Sequence, residues 1–257
     1  MTATENTKSS VRNQVSEEEW GLRVNLAACY NLAAMYGWDD LIFTHISARV
    51  PGPEKHFLIN PYGLLFDEIT ASNLVKIDLD SNIVMDSEYE VNPAGFNIHS
   101  AVHNAREDAH IVMHLHTNEG VAVSIQDEGL LPLSQQSLFP ISSLSYHAYE
   151  GISLDPDERK RIVQDLGNAN FMILRNHGLL TCADNVPDAF LYMYTLQRAC
   201  EIQLQAQATG NSLSKIPTPI VNGIQQAADK VLKSSGGALA WPGLLRRLDK
   251  HGYPYKN

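Results

Sequence analysis

The chain has 257 residues and a formal net charge of −10, a length that suits one sizeable core. The acidic balance, without any basic stripe interleaved with aromatics, excludes a nucleic-acid binder, and no apolar run approaches a membrane span. Cys29, Cys182 and Cys200 are odd in number and scattered through apolar or helical surroundings, so they read as buried free thiols. With a polar Met1–Gln14 stretch that lacks a signal-peptide core, they point to a reducing cytoplasm.

In chain order, residues 1–15 read as a disordered polar arm. Ser16 starts a helix, with Glu19 completing a capping box, and apolar positions recur through Leu22, Leu26, Ala33 and Met35 up to Gly37. Three β-like segments follow at Leu41–Val50, His56–Asn60 and Val75–Leu79, and Asp80-Ser-Asn82 reads as a hairpin turn. A helix is expected over Phe96–Ala105, then the apolar strand His110–His116, then a short helix from Asn118 to about Asp127. Leu138–Tyr149 is strand-like, with Pro140 as a break near its start. Asp155-Pro-Asp-Glu158 is a helix start, with Asp155 as N-cap and Pro156 in the first turn. The strand Phe171–Arg175 and a long amphipathic helix over Pro187–Gln207 follow. Residues 16–211 therefore form an α/β domain whose short strands look mostly antiparallel. The tail, 212–257, predicts helices near Gly223–Lys233 and Leu239–Lys250, and its Trp241, Leu244, Leu245 and Leu248 offer an apolar stripe to the main body or to another subunit.

Three histidines carry the chemistry. Side chains two apart on a strand share a face, so His114 and His116 present their imidazoles side by side. His177, in Arg175-Asn-His-Gly178, ends a second apolar strand. If the two strands are neighbours, three nitrogens converge on a pocket fit for a divalent transition metal, with a coordination position left open. Zinc heads the candidates, and Fe(II), Mn(II) and Co(II) are alternatives at such a nitrogen site. The plain alternative is three satisfied core histidines.

Ala94-Gly-Phe-Asn-Ile-His-Ser-Ala-Val-His103, then His114-Leu-His116, then Tyr146-His-Ala-Tyr-Glu-Gly151 and Arg175-Asn-His-Gly178 together resemble the class II aldolase/adducin family, over roughly Ser16 to Thr209. The resemblance implies a three-layer α/β/α sandwich around a central, mostly antiparallel sheet. It implies that His114, His116 and His177 hold the metal, and that the protein is a homo-oligomer, often a tetramer, acting on a small-molecule substrate. The sugar-phosphate aldolases of the family also carry an acidic residue that moves the proton; here that position is Gly95. Their phosphate-binding turns correspond here to Phe43-Thr-His-Ile-Ser47 and Pro93-Ala-Gly95, so phosphate recognition is not expected. Both departures resemble the adducin-like branch, whose animal members are cytoskeletal.

Candidate substrate-binding residues are Thr44, His45, Gly95 and His99. His99 and His103 share a helix face, and the plain reading of both is structural. Tyr146, His147 and Tyr149 are the candidate proton-moving groups, replacing the absent carboxylate. Arg175 reads as an ion-pair partner, and Glu19 and Glu158 as helix caps. The expected function is a metal-dependent, aldolase-like lyase acting on a non-phosphorylated hydroxy-carbonyl or keto acid. The alternatives are an adducin-like assembly module with a retained metal site, or Fe(II) oxygenase chemistry.

Overall fold

The computed structural model describes residues 10–151, 157–224, 227–228 and 236–257. The N-terminal arm is not wholly irregular: Val11–Gln14 forms one helical turn, α1. Helix α2 spans Glu17–Met35, and Ser16 Oγ accepts from the Glu19 N–H, as the cap predicts. Glu19 itself is not a capping group. Its carboxylate is buried and takes up Arg23 (3.0 Å) and Lys76 (2.8 Å), because a buried charge requires partners more than the helix start does.

Strands β1 (His45–Arg49), β2 (Phe57–Ile59) and β3 (Val75–Ile77) occupy the three expected segments in shortened form. Helix α3 runs Pro93–Ala105, starting three residues early; β4 is Ile111–Leu115; α4 is Asn118–Ser124. The strand expected from Leu138 begins only at β5 (Leu144–His147). Residues Gln135–Ile141 form α5 instead, opened by a reciprocal Ser134–Ser137 capping box, with Pro140 inside its last turn. Helix α6 is Glu158–Leu166. The Asp155 and Pro156 cap lies outside the described residues. Strands β6 (Phe171–Leu174) and β7 (Gly178–Ala183) precede α7 (Val186–Ala208), where the Asn185 side chain accepts from the Asp188 N–H. The tail contributes α8 (Thr218–Asn222) and α9 (Gly237–His251); much of the Gly223–Lys233 segment lies outside the described residues.

The seven strands form one sheet in the order β3-β2-β1-β4-β7-β6-β5, antiparallel except for the β5–β6 pair. Alternation along β4 explains the layering. Ile111, Met113 and Leu115 join the core under α2 and α7, whereas Val112 joins the core under α3 and α6. Both faces are covered, giving the three-layer α/β/α sandwich.

The apolar stripe of α9 does not face outward. Trp241 and Leu248 are buried in the same core as α2 and α7, Leu244 and Leu245 pack against it, and Trp241 Nε1 donates to Asn25 Oδ1 at 2.7 Å. Burying this stripe within the chain removes its apolar surface from water. Cys29, Cys182 and Cys200 are buried and unpaired. Among the described residues no helix is long and apolar enough to cross a membrane.

Candidate metal centre

His114 lies in the fourth of the seven strands and His116 just beyond its end. The partner strand is β7, not β6: His114 pairs with Leu180, and Leu115 with Leu179. His177 therefore reaches the site from the tight turn joining β6 to β7. That turn requires Asn176 at φ 57°, a left-handed conformation that asparagine tolerates better than most residues. Gly178 has no room for a side chain: a Cβ there would stand 2.5 Å from the Leu115 carbonyl oxygen and 3.1 Å from His116 Cδ2. The glycine lets the turn close against the strand that carries the other two imidazoles.

One nitrogen from each of His114, His116 and His177 falls within 4.8 Å of the others. His114 is buried and the other two are half-buried, so the group opens to solvent on one side. His114 Nδ1 lies 3.0 Å from the Leu179 carbonyl oxygen, and His116 Nδ1 lies 3.0 Å from Asp40 Oδ2. Both partners accept, so both Nδ1 atoms donate, and in the neutral rings both Nε2 atoms carry the lone pair. These two Nε2 atoms face each other at 3.0 Å. Two lone pairs at that separation repel unless a cation lies between them, so the donor set fits a divalent metal held by neutral imidazoles. Burial, reinforced by the neighbouring imidazoles, holds His114 well below its ordinary value. Burial first, then His116 and His147, lowers His177 to about 4. Neutral rings are what ligation requires.

Asp40 is a residue the sequence reading missed. It orients His116 across 76 positions, and its neighbour Leu41 sits at φ 50°. A branched aliphatic residue in that region is strained, and such strain gathers where geometry is over-determined.

His45 pairs directly with His114 across β1 and β4, and their rings meet edge-on with centroids 5.6 Å apart. His99, on α3, stacks on His45 with centroids 4.3 Å apart. Its Nδ1 lies 2.7 Å from Ser47 Oγ, and among the described residues its buried Nε2 has no hydrogen-bond partner. His99 thus bonds a side chain, Ser47. Thr44 Oγ1 is also buried without a partner. Gly95 lies in the first turn of α3.

The three candidate proton-moving residues have different surroundings. The Tyr146 hydroxyl accepts from the Leu130 N–H at 3.0 Å. Tyr149 is 55% exposed. His147, buried at the end of β5, has Nδ1 2.7 Å from Asp165 Oδ2 and a buried Nε2 with no hydrogen-bond partner. Glu150 and Glu158 carboxylate oxygens stand 3.9 and 3.8 Å from that Nε2. Glu158 is therefore part of the His147 environment and not simply a cap. His147 pairs with Leu174, three residues before His177, which places both histidines at the same end of neighbouring strands. Among the described residues Arg175 makes no ion pair of the expected kind. It donates to the Gln126 and Asp127 carbonyls and lies over the Tyr146 ring at 4.4 Å.

Residues 24–204 match the family model described as the Class II Aldolase and Adducin N-terminal domain. The chain belongs to that family. A Pseudomonas aeruginosa protein, whose name places it provisionally among the class 2 aldolases, is 58% identical over all of both chains. Alpha-adducin of Mus musculus is 40% identical over 91% of this chain, which spans 34% of adducin. The solved L-fuculose 1-phosphate aldolase of Glaciozyma antarctica superposes with a TM-score of 0.78 at 25% identity, covering 91% of this chain and 92% of that one. The family-level fold and the class II aldolase relationship thus agree with the sandwich described above.

Proposed function

We propose that this class II aldolase-family member is a metal-dependent lyase that cleaves a small, non-phosphorylated hydroxy-carbonyl compound or keto acid. The reading is carried by one observation: three imidazole nitrogens grouped within 4.8 Å, two of them bare lone pairs face to face, on a side open to solvent. His114, His116 and His177 hold the ion, which is zinc first, with Fe(II), Mn(II) or Co(II) as alternatives. When bound, such an ion polarises a substrate carbonyl and takes up the negative charge that develops as the adjacent carbon–carbon bond breaks.

With glycine at position 95, no side chain there can move a proton. His147 takes that role: Asp165 fixes its Nδ1 as the donor, leaving Nε2 to exchange the proton of the substrate hydroxyl. Thr44, His45 and His99 supply the polar wall, with Gly95 a further candidate for contact with substrate. Tyr146 and Tyr149 are secondary candidates for proton transfer. The protein acts as a homo-oligomer, and its three unpaired cysteines suit a reducing cytoplasm.

The 40% identity to alpha-adducin favours a second reading, an assembly module with a retained metal site. Metal analysis of the purified protein, followed by a screen of hydroxy-acid and keto-acid cleavage with and without Fe(II) and oxygen, separates the two. The lyase reading expects one transition-metal ion per chain and turnover that His116→Ala abolishes. Turnover that survives His116→Ala defeats it, and a metal-bearing protein with no turnover favours the module. Oxygen-dependent turnover with Fe(II) would instead assign oxygenase chemistry to the same ligands.

A further inference from the structure

A buried chain of hydrogen bonds runs beside the metal centre through His103, Ser47 and His99, of which only His99 enters the proposed site. His103 Nδ1 lies 2.7 Å from the Ala109 carbonyl oxygen, His103 Nε2 lies 2.7 Å from Ser47 Oγ, and Ser47 Oγ lies 2.7 Å from His99 Nδ1. Both histidines and the serine are buried, at 1%, 0% and 0% exposure. Burial pushes His103 down to about 3, and burial with His45 and His103 lowers His99 well below its ordinary value, so both rings are neutral.

The proton positions then follow by elimination. A carbonyl oxygen only accepts, so His103 Nδ1 carries the hydrogen and His103 Nε2 is bare. The single Ser47 hydrogen must satisfy that bare nitrogen. Ser47 Oγ then has only lone pairs left for His99, so His99 Nδ1 carries the hydrogen and His99 Nε2 does not. That Nε2 is the fully buried atom without a partner, on a ring stacked against His45, which in turn meets His114 edge-on.

We infer that His99 Nε2 is a fixed hydrogen-bond acceptor in the wall of the metal site, set by Ser47 and His103, and that its partner is a hydroxyl group of the ligand. A buried lone pair costs free energy until a donor reaches it. It repels a carboxylate or phosphate oxygen, whereas a hydroxyl satisfies it. Beside the metal trio the substrate thus presents an alcohol and not an anion. The substrate contact rests on the lyase reading; the proton pattern does not.

Long-range ¹H–¹⁵N NMR of the zinc-loaded, histidine-labelled full chain tests this. The expected spectrum has His99 Nδ1 protonated and Nε2 bare. Added dihydroxyacetone moves the Nε2 resonance, and acetate, an anion with no hydrogen to donate at neutral pH, does not. Ser47→Ala releases the pattern, giving a mixture of ring forms and about tenfold weaker dihydroxyacetone binding; Ser47→Thr restores both. A protonated Nε2 in the unaltered protein overturns the inference, and so does Ser47→Ala binding dihydroxyacetone as tightly as the parent. A Nε2 resonance displaced without any probe and unmoved by dihydroxyacetone identifies a held water and overturns the substrate contact. If Ser47→Ala does not fold, the parent spectrum and the two probes still decide. A bare Nε2 in a protein without turnover leaves the acceptor standing and removes the lyase.

Discussion

Asp40 Oδ2 holds His116 Nδ1 at 3.0 Å, fixing the ring with its other nitrogen turned to His114. A carboxylate behind a ligating imidazole orients the ring and raises its basicity, and such partners typically contribute ten- to a hundredfold in metal affinity. Asp40→Asn is therefore expected to weaken zinc binding by roughly that factor while leaving the unfolding midpoint of the metal-free protein little changed. Competition with a chromophoric chelator measures the first and denaturant unfolding the second. An unchanged affinity would remove Asp40 from the site.

Gly178 tests how tightly the β6–β7 turn is pressed against β4. A methyl group there meets the Leu115 carbonyl at 2.5 Å, with backbone on both sides, so neither can yield cheaply. Gly178→Ala is expected to cost about 1–3 kcal/mol of stability and to displace His116 enough to lower metal content. Denaturant titration with metal analysis on the same samples reads both.

Asp165 separates proton transfer from metal binding. Asp165→Asn leaves His114, His116 and His177 untouched but removes the charge that fixes His147 Nδ1. Turnover is expected to fall about a hundredfold or more with metal content unchanged, and Asp165→Glu should recover part of it. Loss of metal together with activity would instead mark Asp165 as a structural support.

The pH dependence of stability carries the mark of His103. Its folded value is about 3 against an ordinary 6.5. Below pH 6.5 the unfolded chain gains a proton that the folded chain refuses. Stability is full above that value and is lost as pH falls towards 3, by about 4 kcal/mol from this residue alone at the lower end. His103→Gln should flatten the slope of stability against pH by one proton's worth between about pH 6 and pH 4, measured by urea unfolding across that range. An unchanged slope would show that His103 is protonated in the folded state.

Trp241 fastens the tail. It is buried and donates to Asn25. Trp241→Ala is expected to destabilise the folded chain by roughly 3–5 kcal/mol. A loss seen only as dimer or tetramer dissociation, with the protomer's unfolding unchanged, would return the stripe to a subunit contact.

Much of this arrangement was legible in the chain. The two-residue spacing of His114 and His116 carries its own geometry, and Ser16 announced α2 through its cap. Other parts gave no local signal. Leu179 and Leu180 carry no separate signal, because the strand that contains them begins directly after His177. Asp40 and Asp165 meet their histidines across 76 and 18 positions, and an acidic residue has no periodicity that points to such a partner. Pro140 looked like an interruption because a proline lacks the ladder N–H, but in α5 it forgoes a single intrahelical bond. The Ser47 relay depends on where hydrogens sit, which spacing does not encode.

Strand β4 has three strands on either side. Its amides are therefore shielded from every sheet edge, and exchange with deuterated solvent should be slowest around Val112, Met113 and His114. Fraying of the outer strands leaves that centre intact, so His114 keeps its backbone position until the middle of the sheet opens.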